Sequence, residues 1–299
     1  IKGDIITPSG IAFISSLTST FSLATRNLKR RRLRSSLVLI SILTLVFGFT
    51  VFTSFQITTA VASGRPTQPY PGTPPAGLMI VSPTGSSLPT SIVDALAEDP
   101  TVSSVAPKTE SSPTYMEVQI IAKNGYNTTI RGVLGISSEE AKMSHLDEAL
   151  LSGHMLQEGE NALMISAKVA QQLNVTPGEK VEFTWNTAPG TTSGITLTKE
   201  YMIAGVLDDQ IFAQIIDLDG QPIRPYIIVD HDRTYLSADS VAILSWRELL
   251  DLNLGSLTRI NVQTKNESDL PALAIQLAGK WRWFVYASVD GGVQLYYYK

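Results

Sequence analysis

Two short acidic phrases carry the residue types that could do chemistry. Asp230-His231-Asp232 sets an imidazole between two carboxylates, groups that bind a divalent metal or move a proton. In a strand, however, successive side chains point to opposite faces, so the three would not converge on one ion; a solvated turn is expected. Asp217-Leu218-Asp219-Gly220 has the opening of a calcium loop. It lacks the later ligand positions and the closing Glu, so a plain hairpin turn is expected. Glu139-Glu140 is expected at a helix start, where the helix dipole favours negative charge, and not as a catalytic pair.

The remaining inventory excludes most catalysis. There is no Cys, hence no disulfide, thiolate zinc site or cysteine nucleophile. The histidines are His145, His154 and His231, which leaves little for an imidazole metal cluster or a triad. The sequence contains no G-x-x-x-x-G-K-[ST], no H-E-x-x-H and no G-x-S-x-G, the patterns that cradle phosphate, hold zinc or present a nucleophilic Ser. No catalytic, cofactor-binding or metal residue is therefore assigned, and any ATP hydrolysis belongs to another polypeptide. Three sequons, at Asn127, Asn174 and Asn266, are candidate glycosylation acceptors on a surface facing away from the cytoplasm.

The elements that would position these residues begin with a charge asymmetry. Residues 1–64 hold seven basic residues against one acid, Asp4, a net +6; the rest holds sixteen basic and twenty-six acidic residues, a net −10. The overall −4 and pI near 5.5 argue against a nucleic-acid partner. The basic residues Arg26, Lys29, Arg30, Arg31, Arg32 and Arg34 form a collar, and from Ser35 to Gly64 no side chain is charged. The apolar heart, Leu37 to Phe55, spans roughly 28 Å as a helix, about the hydrocarbon thickness of a bilayer. Its Ser41, Thr44, Thr50 and Thr53 are tolerable because hydroxyls bond back to helix carbonyls, and Gly48 suits a close helix contact. The positive-inside rule places the collar in the cytoplasm and everything after about residue 60 outside it, at the plasma membrane. Ala60-Val61-Ala62 has the form of a signal-peptide cleavage site, but the long apolar stretch and the long arm before it favour an uncleaved anchor.

Before the collar, Ile14, Leu17, Phe21, Ala24 and Leu28 form one apolar stripe at helical spacing. It suits a helix lying in the inner headgroup layer before the chain turns into the membrane, or one packing on another part of a longer chain. Ile1 stands where a whole chain has Met, so the sequence is read as a piece of a longer protein.

After the span, the expected division is 1–34 cytoplasmic segment and collar, 35–60 transmembrane helix, 61–76 Pro-rich linker and 77–299 body. In the body, strands are expected at Gly77–Val81, Val102–Pro107, Tyr115–Ala122, Thr128–Ile136, Ala162–Ile165, Lys180–Trp185, Ile195–Leu207, Tyr226–Val229, Arg259–Thr264 and Phe284–Ser288. Helices are expected at Pro89–Ala97, Ser137–Leu146, Ser166–Leu173, Ser245–Leu252 and Ser268–Gly279. Asn124-Gly125 marks a hairpin. Trp281, Trp283, Tyr286 and Tyr296-Tyr297-Tyr298 suit either an interfacial aromatic belt or a last strand. The fold class is α+β (mixed α/β), in two lobes, after one N-terminal transmembrane helix.

This order resembles the permease subunits of the MacB/FtsX/LolC type of ABC transporter. Leu23-Ala24-Thr25-Arg26-Asn27-Leu28 with Arg30-Arg31-Arg32-Leu33-Arg34-Ser35 looks like their opening motif. Leu151-Ser152-Gly153-His154-Met155-Leu156, Ala170 through Gly178, and Tyr201 through Leu207 look like phrases of the family's periplasmic core domain. The resemblance covers about residues 20 to 299. It implies a permease that moves its outside domain when ATP is hydrolysed on a separate P-loop ATPase subunit, paired with a second permease copy or homologue and serving an unknown extracytoplasmic substrate or partner. No cofactor is expected in this chain. The alternative class is a single-pass membrane-anchored extracellular binding or adhesion module; a secreted enzyme is third.

Overall fold

The computed structural model describes residues 9–54, 60–66, 72–111, 116–187, 196–230 and 232–299, with side chains of the first segment described at 18–22, 26 and 31–50. The chain divides into residues 1–58 and a body, residues 59–299.

In the first unit, α1 (Ser9–Ser54) is one unbroken helix through the collar and the apolar stretch. No turn separates the two, as the reading of a headgroup-layer helix that then turns into the membrane had required. Straight-chain Leu, Lys and Arg carry the helix across the collar. Of the expected apolar stripe, the Phe21 side chain is exposed, and those of Ile14, Leu17, Ala24 and Leu28 lie outside the described residues. From Leu37 to Phe49 every large apolar side chain is 55% to 74% exposed. A helix whose described side chains are apolar on all sides in this stretch suits lipid. Ser36, Thr44 and Thr50 donate to the carbonyls four residues back at 2.7–2.8 Å, so their hydroxyls are satisfied within the helix.

The body opens with β1 (Val61–Gly64), within the stretch expected to be linker. Its alternate backbone groups pair with the C-terminal strand, a partner 230 residues away that local composition cannot announce. β2 (Gly77–Val81) and α2 (Ser91–Ala97) fall where expected. β3 (Val102–Ser111) runs four residues past its expected end. β4 (Met116–Ala122) and β5 (Asn127–Ile130) make the Asn124-Gly125 hairpin. The strand expected to continue to Ile136 instead breaks at Arg131, whose N–H donates to Ser240 O at 2.9 Å; β6 (Gly132–Ile136) then joins other partners.

The helix expected over 137–146 is one turn, α3 (Glu140–Met143), followed by a 3-10 turn at Leu146–Ala149. Then come β7 (Leu150–Gly153), β8 (Ala162–Ser166) and α4 (Ala167–Leu173), which Ser166 caps by accepting from the Val169 N–H. β9 (Lys180–Thr187), β10 (Thr196–Leu207) and α5 (Asp209–Gln214) follow. β11 (Tyr226–Val229) and β12 (Asp232–Tyr235) form a separate hairpin. β13 (Val241–Ser245), α6 (Trp246–Asp251) and β14 (Gly255–Thr264) return to the main sheet. α7 (Leu270–Trp281) buries Leu270, Leu273, Ala274, Leu277 and Ala278, a helical stripe, with Pro271 in its first turn and Arg282 left-handed at its end. β15 (Phe284–Val289) and β16 (Gly292–Tyr298) complete the fold.

Among the described residues, fourteen strands form one sheet, ordered β1-β16-β15-β2-β14-β3-β6-β13-β8-β10-β9-β4-β5 with β7 beside β10. β6–β13 and β8–β10 are parallel; the other pairs are antiparallel. The expected division into two lobes does not appear as a break, because β3–β6 and β6–β13 carry the ladder through the middle. Apolar clusters lie beneath α2 and α7 at one end, around Phe183, Trp185 and Tyr201 at the other, and around Leu134, Ile243 and Phe212 between them.

Candidate functional site

Two features of the chain stand out: the collar with its apolar helix, and a buried set of charges where β3, β14, α3 and the turn at Asp217 meet.

Along the collar, Arg26, Arg31, Arg32 and Arg34 are exposed; the side chains of Lys29 and Arg30 lie outside the described residues. At 100° per residue the six positions encircle the helix instead of forming one face. The stretch Arg31–Thr50 is long and apolar enough to cross a membrane.

The buried set starts from strand alternation. Lys108 and Glu110 share one face of β3, and Arg259 and Asn261 share one face of β14. Register sets Lys108 directly opposite Arg259, a like-charge pair that would repel. Asp217 resolves it: its Oδ2 accepts from Lys108 Nζ and from Arg259 Nη1, the latter at 2.8 Å, while Oδ1 accepts from Asn261 Nδ2 at 2.7 Å. Lys108 also donates to Glu140 Oε1 at 3.0 Å. Arg259 Nη2 reaches Glu110 at 2.6 Å and the Ile223 carbonyl at 2.7 Å. Lys108, Glu140, Asp217 and Asn261 have no exposed surface.

Electrostatics divide the acids. Burial pushes Asp217 upward, but Lys108 and Arg259 outweigh it and hold the carboxyl at about 2. Burial pushes Glu140 up to about 7, against the pull of Lys108. Asp219, 5% exposed, is raised to about 6 by burial and by the Asp217 charge. Four acids surround two cations, and two of the four resist ionisation.

Asp217 and Asp219 sit in a turn, as expected, with Gly220 N–H donating to Asp217 O at 2.9 Å, and both carboxylates are buried beneath it. Glu140 begins α3 as expected, yet it answers Lys108 and not solvent. Asp230, left-handed at φ 50°, lies between the two strands of the β11–β12 hairpin, and Asp232 begins β12; His231 lies outside the described residues. Among the described residues no group of three His, Asp or Glu is placed to hold a metal. Asn127, Asn174 and Asn266 are all exposed. The Asn174 backbone is the left-handed cap of α4, and Asn266 Nδ2 donates to Asp269 at 3.2 Å. The buried set is a clamp across four segments, and each of its carboxylates already accepts from a donor.

The chain thus combines one helix long and apolar enough to cross a membrane with a mixed α/β body built on one large sheet. The family model of the MacB-like periplasmic core domain matches residues 37–280. The chain belongs to that family, and with its N-terminal apolar helix it is of the MacB/FtsX permease type. A search of curated proteins finds no match. The family domain is not itself an enzyme.

Proposed function

We propose that this chain is the membrane-spanning permease subunit of an ABC transporter, coupling ATP hydrolysis on a separate subunit to motion of the body for transport or mechanotransmission. The observation that carries this reading is the junction of a lipid-suited helix, Arg31–Thr50, with a MacB-like body. The collar faces the cytoplasm and the body lies on the opposite side of the plasma membrane. The ATP-binding P-loop sits on a partner ATPase, and a second permease copy or homologue completes the assembly. The alternative, a single-pass anchored binding or adhesion module, would need no ATPase.

The absence of Cys makes the topology directly measurable. Ser86→Cys should react with a membrane-impermeant maleimide in intact cells, and Thr18→Cys only after permeabilisation. The reverse pattern overturns the orientation. Purification of the tagged full protein in mild detergent should bring down a P-loop ATPase. Recovery without one, with topology as expected, leaves the anchored module.

A further inference from the structure

β3 pairs with β14 along its whole length, from Val102 to Ser111. On its other edge β6 covers only Lys108 to Glu110. β6 and β13 run parallel and stop together, at Ile136 and Ser245, whereas β3 and the segment leading into β8 continue beyond them. The sheet therefore has a notch two strands wide, at ~4.8 Å per strand. Within it, backbone groups of residues 104–106 that turn away from β14 face an edge where, among the described residues, no strand pairs; the Val102 N–H donates to the Asp99 carbonyl at 3.1 Å.

A cavity of about 310 Å³ fills this notch, walled by Val105, Pro107, Ile136, Leu156 and Trp246. It lies beyond the carboxyl ends of a parallel strand pair, where α/β sheets place ligands. A second depression shares Ser104, Glu139 and Leu156 with it, so the groove extends past the notch. Ser137 also lines the cavity; it is 8% exposed and its Oγ has no hydrogen-bond partner. Buried hydroxyls are normally paired. Among the lining residues, Glu158 faces Arg247 at 3.5 Å, and the Glu139 carboxylate accepts from the Ser138 hydroxyl at 3.0 Å, with no cation beside it among the described residues.

We propose that the notch binds an extended polypeptide segment of about five residues, pairing through its backbone with the open edge of β3. One apolar side chain of the segment packs against Trp246 and Leu156, a carbonyl accepts from Ser137 Oγ, and a basic side chain lies beside Glu139. The net negative charge of the body favours such a segment. An exposed strand edge is a template for another chain, and the apolar walls and unpaired hydroxyl make this edge selective. The inference rests on the notch alone and is independent of coupling to an ATPase.

The test uses the full chain in detergent micelles and a fluorescein-labelled nonapeptide of alternating threonine and valine with a lysine at each end. Fluorescence anisotropy should show saturable binding above that of empty micelles. Ala97→Trp, at an exposed α2 position lining the cavity, should weaken binding about tenfold or more with unchanged circular dichroism and melting. Replacing the central peptide amides with esters should also weaken binding about tenfold, or ~1.4 kcal/mol. Absence of saturable binding at millimolar peptide overturns the proposal, as does equal binding by the Ala97→Trp variant. An ester peptide that binds as well as the amide overturns the backbone pairing.

Discussion

The Lys108 ammonium lies 3.0 Å from the Glu140 carboxylate, and neither side chain exposes any surface. Asp217 draws on the same ammonium, so one cation holds a helix turn and a distant loop to the middle of a strand. Ion pairs so placed gain little over apolar packing, but removing one partner leaves the others uncompensated.

Lys108→Met should therefore cost about 3–5 kcal/mol. Urea denaturation of the chain in micelles, followed by far-ultraviolet circular dichroism, measures it. A loss below about 1 kcal/mol, within the range of exposed pairs, would show that the clamp contributes little.

The acids predict a pH profile. Glu140 titrates at about 7 folded against 4.5 as the ordinary value. Between these values the folded chain keeps a proton that the unfolded chain releases, so stability falls as pH rises, by about 3 kcal/mol in all. Asp219, raised from 3.8 to about 6, adds to the same decline. Asp217, held down from 3.8 to about 2, works oppositely: its contribution is lost as pH falls through that lower window. Melting temperature should peak near pH 4 to 5 and be lower at pH 8. Glu140→Gln should flatten the slope between pH 4.5 and 7 and melt higher than the parent at pH 8. A parent profile flat across this range would refute the assignment.

Gly153 has φ +85°, and a Cβ there would stand 2.1 Å from the Ala204 carbonyl oxygen. β7 reaches β10 only because this backbone approach is open. Gly153→Ala should destabilise the body by about 2 kcal/mol or more, since both steric overlap and left-handed strain act on it. Thermal melting reads the effect; a variant that melts with the parent would contradict this close approach.

The proposed topology makes charge placement in the first unit testable. Leu43→Arg puts a cation within the apolar run, which costs roughly 2.5–3.5 kcal/mol on insertion scales. The membrane-integrated fraction, measured by carbonate extraction, should fall. Changing Arg31, Arg32 and Arg34 together to Glu should invert a share of the molecules, read by the accessibility of Ser86→Cys. Unchanged orientation would remove the collar from its topological role.

Legibility in the sequence followed the range of the forces involved. α7 and α4 were readable because capping groups and the 3.6-residue stripe are local. The apolar helix was readable because twenty uncharged residues after a basic cluster have few other uses. β1 and β16 were not readable as neighbours, since their pairing spans nearly the whole body. The clamp was hidden for a subtler reason. Arg259 and Asn261 alternate with Ile260 and Val262 as the wet face of any strand does, and Lys108-Thr109-Glu110-Ser111 reads as a polar, solvated strand end. Period-two patterning separates two faces without saying which one is buried. Only the register of β3 on β14, and the return of Asp217 to that face, turns an ordinary polar alternation into a buried assembly.

The pairing of β1 with β16 has a mechanical consequence. Val61 lies opposite Tyr298, and the Lys299 N–H donates to the Ala60 carbonyl at 3.1 Å, so both ends of the body meet at one corner of the sheet. The path from β1 to β5 crosses twelve strand spacings, up to about 58 Å at ~4.8 Å each. Because Val61 faces Tyr298 and Gly64 faces Leu295, a force that separates Ala60 from Lys299 loads the β1–β16 ladder from one end and opens it one bond at a time, as a zip opens.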